Sequence, residues 1–271
     1  MSLKIKVEDR ISTYPGRVIM NPVPGAENTY DMVRADLPIN SGTPINKVLF
    51  DSKADRVTKD VTLYVDFMFG NDESGTGEND SPFYSIQKAI DSIPKNLDGH
   101  TVTIMLTAHP FGERIVCRGF TGGKLIIGDS SFNSGVQGIE IDACTSVEVR
   151  VNNIMYGEKS VAPALLDVKN GSTVFVPYDM YLGGNGQNIS GVQASHGSTI
   201  CFGYGHTVNA SSFNSAAIVS TYGGSVVLST VSGNSNTLGL VATMGGTITY
   251  KDSTLNSDFG NNYESGGRIH S

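Results

Sequence analysis

The chain has 271 residues, of which 19 are Lys or Arg and 26 are Asp or Glu, so its formal net charge is −7. This acidic balance argues against nucleic acid as a partner, because binding to a phosphate backbone requires clustered basic residues. The three cysteines are odd in number and far apart, which predicts free thiols. The start of the chain is charged and no apolar stretch is long enough to cross a bilayer, so we expect neither signal-peptide export nor membrane insertion.

The charged residues are distributed unevenly along the chain. Residues 180–250 contain no Asp, Glu, Lys or Arg, although charged residues make up 17% of the whole sequence. Such a neutral stretch has two interpretations. It is either an exposed surface that contacts uncharged glycans or an interface with further copies of the chain, because interface cores are depleted of charge. Both interpretations can apply to different sides of one molecule.

The N-terminal part of the chain reads as a separate module. Its first 44 residues contain five of the ten prolines together with several turn signals, which predicts a small irregular module with a boundary near residue 60. A strand is then predicted over 62–65, followed by an acidic, glycine-rich loop over 70–80.

A helix is predicted near 82–93, directly after the acidic loop. Ser81 is the expected N-cap and Pro82 lies in the expected first turn. Apolar residues recur at helical spacing at Ile86, Ala89, Ile90 and Ile93. A helix with one apolar side that precedes a run of strands is suited to cap the open end of a solenoid.

An internal repeat of 22–27 residues fills the rest of the chain. Each of six turns is followed by an apolar residue, and these residues are Leu125, Val147, Val174, Ile200, Val226 and Ile248. A second column, eight residues earlier in each unit, consists of Cys117, Ile139, Leu166, Val192, Ile218 and Leu240. A looser third column consists of Phe132, Ile154, Tyr181, Val208, Val231 and Leu255.

The residues around these columns alternate between apolar and polar, which indicates short strands with one buried face. Three strands per unit without an intervening helix predict an all-β parallel β-helix, a solenoid of six or more turns. A leucine-rich repeat would need a consensus that is absent, and a propeller would need about 40 residues per blade. A glycine- and serine-rich β-sandwich is the alternative fold.

Residues 63–66, 70–72 and 81–90 resemble the leading segment of pectate-lyase-like proteins. The resemblance continues through the repeats and implies a right-handed parallel β-helix over 61–271 with an N-terminal cap. It implies little about activity, because lyases, hydrolases, esterases and inert adhesins share this scaffold.

Residues 13–18, 28–36 and 42–47 look like the N-terminal part of tail-associated structural proteins of phages and prophages of Gram-positive bacteria. This resemblance implies a tail fibre, tailspike or baseplate component of the virion tail, made in the bacterial cytoplasm. Residues 1–60 would attach to tail or baseplate proteins, and the β-helix would contact a host-surface glycan. Proteins of this kind are commonly homotrimers. A cellular surface adhesin on the same solenoid is a further alternative, disfavoured by the lack of an export signal.

An enzymatic alternative is a tailspike depolymerase that cleaves polysaccharide as a glycoside hydrolase or a lyase. Hydrolysis needs two carboxyl groups about 5–9.5 Å apart. The candidates are Glu140 and Asp142, which lie two residues apart on one predicted strand, and Glu148 on the next strand. The other interpretation of all three is a solvated outer face.

The acidic loop is a weak candidate for a calcium site, because hard cations bind carboxylate and carbonyl oxygens in flexible loops. Its candidate ligands are Asp72, Glu73, Glu78 and Asp80. The loop fails an EF-hand pattern at three ligand positions, so a solvated acidic turn is the preferred interpretation. We expect no bound metal and no cofactor.

Aromatic and histidine side chains in the neutral repeats are candidates for sugar contacts, since aromatic rings stack on sugars. The candidates are Tyr181, His196, Tyr204, His206 and Tyr222. The alternative interpretation is that they are ordinary turn residues or that they contact another subunit.

Overall fold

The computed structural model describes residues 56–107, 109–128, 134–160 and 163–271, together with four short strands nearer the N-terminus. The chain divides into two compact units, residues 1–55 and 56–271. The strands of the first unit are β1 (Ile11–Ser12), β2 (Val18–Pro22), β3 (Tyr30–Arg34) and β4 (Pro38–Asn40). β1 pairs with β4 and β2 pairs with β3, both antiparallel.

The second unit is a right-handed parallel β-helix with three faces, as the repeat predicts. Face A consists of β7 (Arg114–Arg118), β10 (Gly138–Asp142), β13 (Ala164–Lys169), β16 (Ser190–Ala194), β19 (Ala216–Ser220), β21 (Leu238–Thr243) and β23 (Asn262–Glu264). Face B consists of β5 (Val61–Val65), β6 (Thr101–Leu106), β8 (Lys124–Ile127), β11 (Val147–Val149), β14 (Thr173–Val176), β17 (Thr199–Phe202), the first parts of β20 (Ser225–Asn236) and β22 (Thr247–Ser257), and β24 (Arg268–His270). Face C consists of β9 (Gly135–Val136), β12 (Asn153–Met155), β15 (Met180–Gln187), β18 (Thr207–Phe213) and the last parts of β20 and β22.

The core column of face B is confirmed in full. From β8 to β22 the six predicted apolar residues lie opposite one another in parallel register, and all six are buried. The column of face A is confirmed from Ile139 onwards. Its first member is wrong, because Cys117 lies opposite Ile141 and Ile115 lies opposite Ile139. The turn after Cys117 is two residues longer than the later ones, which shifts the count.

The column predicted for face C is only partly correct. Val208 and Val231 lie opposite each other, and both are buried. Tyr181 faces outward, because its neighbours Met180 and Leu182 supply the buried positions of β15. Leu255 is also out of register, because the strand partner of Val231 is Ser253, two residues earlier in the chain. Of the two remaining members, Ile154 is buried and lies opposite Leu182, and Phe132 lies outside the described residues. The turns between faces B and C vary in length, so sequence spacing alone does not fix this register.

Helix α1 (Ile86–Ser92) lies against the first turns of the β-helix and buries Ile86, Ala89 and Ile90. Its N-cap is Ser85, four residues after the predicted Ser81, and the Ser85 hydroxyl accepts a hydrogen bond from Lys88 N. The later start follows from Asp72, whose carboxylate accepts hydrogen bonds from Ser85 N and Oγ and holds this residue in an extended conformation.

The helix also satisfies the free edge of β7. The Gln87 amide accepts a hydrogen bond from Val116 N at 2.8 Å and donates one to Val116 O at 3.2 Å, as a neighbouring strand would. In return, the Glu113 carboxylate accepts hydrogen bonds from Ile86 N and Gln87 N, which are unpaired donors of the first helical turn. The predicted capping role of the helix therefore has a specific hydrogen-bonding basis.

All three cysteines are free thiols, as expected. Cys117 and Cys144 are buried in the core, and burial raises the pKa of the Cys117 thiol far above its usual range. These two side chains therefore act as small core residues rather than as reactive groups.

Candidate functional site

The predicted acidic residue Glu140 points out from face A but is buried, with 4% of its surface exposed. Its carboxylate pairs with the Arg114 guanidinium, with Arg118 Nη2 at 2.7 Å and with Lys169 Nζ at 3.0 Å. Burial alone raises the pKa of Glu140, but the hydrogen bonds from Arg118, Arg114 and Lys169 outweigh it and lower the pKa to about 2. Glu140 is therefore a permanently ionised partner of three cations.

The other two predicted carboxylates are also paired. Asp142 lies on the same face as Glu140 and accepts a hydrogen bond from Asn170 Nδ2 at 2.7 Å. Glu148 is buried on the outer side of face B, where Lys124 and Arg150 contact it. Burial raises the pKa of Glu148, and hydrogen bonds from these two cations outweigh it, so the pKa is lowered. The structure thus separates Glu148 from the other two by a corner of the β-helix.

Glu140, its three cations and Asp167 form the ion cluster of face A. The sequence analysis missed Asp167. It lies directly opposite Glu140 on the next strand and is 1% exposed. Lys169 Nζ is 3.7 Å from its Oδ2, and among the described residues its Oδ1 has no hydrogen-bond partner. Burial raises the pKa of Asp167, and the neighbouring Glu140 adds to the rise. Sequence alternation could have placed Asp167 on the outer face, but not its contact with Glu140.

The ion cluster of face A is closed to solvent at its carboxylates. Glu140 and Asp167 are in register on neighbouring strands, which brings their side chains to about 5 Å. A glycan would have to displace the side chains of Arg114 and Lys169 to reach them. The arrangement places a charged patch on the β-helix in which Glu140 and Asp167 are buried.

The acidic loop is organised by its own side chains. Both oxygens of Asp72 are engaged by Tyr84 N, Ser85 N and Ser85 Oγ. The other candidate ligands, Glu73, Glu78 and Asp80, are exposed. Within the part of the chain that the structure describes, no group of three His, Cys, Asp or Glu side chains could hold a metal ion.

His196 and Tyr222 lie together at the corner between faces A and B. Their rings stack with centroids 4.9 Å apart and planes at 13°. Both residues have positive φ, of 52° and 48°, and each precedes a glycine that also has positive φ. Their carbonyls are tied into the ladder of turns, since Tyr222 O accepts a hydrogen bond from Gly197 N. Each ring therefore covers one face of the other.

Tyr204 and His206 lie at the opposite end of face B, at its corner with face C. Tyr204 is 84% exposed, and Lys251 Nζ lies 5.4 Å from its ring centroid. The His206 ring contacts Tyr178 edge-on, and its Nδ1 lies 3.3 Å from Asp179 Oδ1. Sequence analysis missed Tyr178, Asp179 and Lys251, because they lie one turn before or two turns after the two predicted residues.

Tyr181 projects from face C, close to this second corner, and is 54% exposed. It lies opposite Asn153 on one neighbouring strand and Asn209 on the other. The five predicted aromatic and histidine residues therefore divide into two sets. Tyr181, Tyr204 and His206 lie near the corner of faces B and C. His196 and Tyr222 lie at the corner of faces A and B, and the four residues of β17 separate the two corners.

A groove of about 240 Å³ opens at the N-terminal end of face C, beside β9 and β12. Its lining includes Phe111, Gln137, Asn153, Met155 and Tyr156. Because Asn153 belongs both to this groove and to the outer surface of face C, the two features are continuous.

Comparison of the chain with protein families, with curated proteins and with solved structures finds no match. No helix among the described residues is long and apolar enough to cross a membrane. The function must therefore be argued from the site itself.

Proposed function

We propose that this chain is a structural component of a phage or prophage tail or baseplate. It attaches to tail proteins through residues 1–60 and displays its β-helix to a glycan on the host surface. The attachment module and the virion location rest on the sequence resemblance of residues 13–18, 28–36 and 42–47.

The state of the predicted carboxylates is the observation that supports a non-catalytic role. Glu140 and Glu148 are buried and paired with cations, and Asp142 is hydrogen bonded to Asn170. Glycoside hydrolysis needs one protonated and one ionised carboxyl group that both reach the substrate. Glu140 and Glu148 lack that access, and the partly exposed Asp142 has neither of them as an accessible second carboxyl group, whereas neutral and aromatic side chains are exposed on the later turns.

The neutral surface also supports self-association. A monomer with 71 consecutive uncharged residues has little electrostatic protection against contact with further copies. We propose a homotrimer, with the interface on part of this surface. Light scattering on the full chain tests it: a mass near three times 28.7 kDa supports the trimer, and a monomer contradicts it.

The virion role is tested by immunogold electron microscopy of phage particles from the bacterium that encodes the chain. An antibody raised against the purified chain should label the tail or baseplate. Unlabelled particles, together with label on the bacterial surface, would contradict the proposal and favour the adhesin.

A depolymerase is the second candidate, favoured by the opposite pKa shifts of the neighbouring Glu140 and Asp167. The test incubates the full chain with purified capsular polysaccharides and teichoic acids of Gram-positive bacteria and follows binding and polymer length. We expect binding without shortening. Shortening that disappears in E140Q and in the triple variant of Glu140, Asp142 and Glu148 would establish the enzyme instead.

A further inference from the structure

Face C carries two columns of outward-facing side chains that repeat once per turn of the β-helix. The first column runs across five strands and consists of Asn153, Tyr181, Asn209, Ser232 and Thr254. The second column begins at Asp179 and continues through Thr207, Thr230 and Asp252. Parallel strands lie about 4.8 Å apart, so the first column is about 19 Å long.

Most side chains in the first column are amides and hydroxyls. Asn209 is held by its neighbours, because its Nδ2 donates to Ser232 Oγ at 3.2 Å and its Oδ1 accepts from Ser211 Oγ at 3.1 Å. A preorganised amide of this kind loses little rotamer entropy when it binds a hydroxylated ligand. Thr230 and Ser232 offer further hydroxyl groups that can both donate and accept.

Aromatic rings flank these columns. Tyr181 stands within the first column, and Tyr204 projects from the adjoining corner as the most exposed large apolar side chain among the described residues. Tyr204 is 84% exposed, whereas Tyr222 is 52% exposed and has one ring face covered by His196. An exposed tyrosine ring beside an array of hydroxyls and amides matches the two surfaces of a sugar ring, one apolar and one hydroxylated.

The charged side chains beside these columns favour a neutral ligand. Lys251 is the one cation placed at this corner by the contacts of the described residues, whereas Asp179 and Asp252 both border the hydroxyl columns. A polymer that carries phosphate or carboxylate groups would meet these two acids. The surface is therefore better suited to a neutral ligand, which makes no demand on charge pairing.

We infer that face C, between Tyr204 and Asn153, is the binding surface for an extended neutral polysaccharide. The chain of sugars lies along the columns, with Tyr181 and Tyr204 stacking on it and Asn209 and Ser232 hydrogen bonded to its hydroxyls. One end of the bound polysaccharide reaches the groove lined by Met155 and Tyr156. This inference rests on the proposed function and assigns it to one of the two sets of aromatic residues.

The test uses the full chain on an array of neutral bacterial polysaccharides, built from rhamnose, glucose, galactose or N-acetylhexosamines, with poly(glycerol phosphate) teichoic acid beside them. Binding should be restricted to neutral polymers and should change little with ionic strength. The variants Tyr181→Ala and Tyr204→Ala should each weaken binding about 5- to 10-fold. Tyr222→Ala is the matched control, because it removes an exposed tyrosine from the other corner, and should change binding less than about 2-fold.

Each outcome has a distinct meaning. Binding that depends on Tyr222 and His196 but not on Tyr181 and Tyr204 would overturn the inference and leave the proposed function standing. Binding only to the teichoic acid would also overturn it. An array without any binding would overturn both the inference and the proposed glycan contact. Thermal melting of each variant separates lost binding from lost structure.

Discussion

The outer surface of face A is built in two different ways along the β-helix. In its early turns the outward-facing positions are charged, with Glu140 and Asp167 buried among arginine and lysine side chains. In its later turns the equivalent positions are Gln193, Val219 and Val241, which are neutral and partly exposed. The buried column behind both surfaces is the same alternation of Ile, Leu and Val. The comparison teaches that the core sets the fold, while the outer residues are free to differ from turn to turn.

The largest expected effect tests the shared core. Val147→Asp in the charged part and Ile200→Asp in the neutral part should both abolish soluble folded protein, because each puts a carboxylate into the core at a cost of several kcal/mol. Thr199→Asp faces outward and should leave the protein soluble. The measurement is the soluble fraction and the circular dichroism melt. A folded Ile200→Asp variant would show that the two parts do not share one core.

An intermediate effect is expected from the charged surface itself. Glu140→Ala leaves Arg114 and Lys169 without their carboxylate, and we expect a loss of about 2–4 kcal/mol in the free energy of unfolding. Gln193→Ala, two strands further along the same column, should cost less than about 1 kcal/mol. Urea unfolding measures both. Equal losses would mean that the ion cluster contributes no more than a neutral surface.

The smallest effect concerns pH. Because the pKa of Asp167 is raised on folding, its contribution to stability is present below its ordinary value of 3.8 and is lost as the pH rises through the folded pKa. Asp167→Asn should therefore gain about 1 kcal/mol over the native chain between pH 4 and pH 7. Glu140 has the opposite sign, since its stabilisation is present above 4.5 and is lost as the pH falls toward 2.

Urea unfolding at several pH values checks this prediction. Asp252→Asn provides the control, because Asp252 is an exposed acid on β22. A difference between Asp167→Asn and the native chain that stays constant from pH 4 to pH 7 would contradict the assignment of a raised pKa to this side chain.

The sequence predicts the core better than the surface, for a physical reason. Alternation and glycine turns are local signals, and they identify Val174, Ile200 and Val226 without knowledge of any partner strand. The turns between faces B and C vary in length, so Tyr181 was assigned to the core when its neighbours are the buried residues. A shift of one residue in the register of a strand exchanges its buried and its exposed face.

The ion cluster and the two aromatic sets could not be predicted from spacing alone. The cations around Glu140 come from β7 and β13, the two strands that flank β10 and are far apart in sequence. Similarly, Tyr204 and Tyr222 are 18 residues apart, yet they stand at opposite ends of face B. Only the assembled turns show which of these side chains share a surface.

The parallel stack has a consequence for the rate of folding. From β6 onwards each strand of the β-helix pairs with a strand 18–28 residues away, as between Gly135 and Asn153 or between Ile154 and Leu182. Loop closure over such a distance carries a modest entropic cost, and each completed turn offers an edge for the next. Helix α1 occupies the edge of β7 through Gln87 and so provides an end from which pairing can start. From β6 onwards, growth by successive turns would avoid any strand pairing over a separation much longer than one turn, and pairings over long separations are the ones that slow folding.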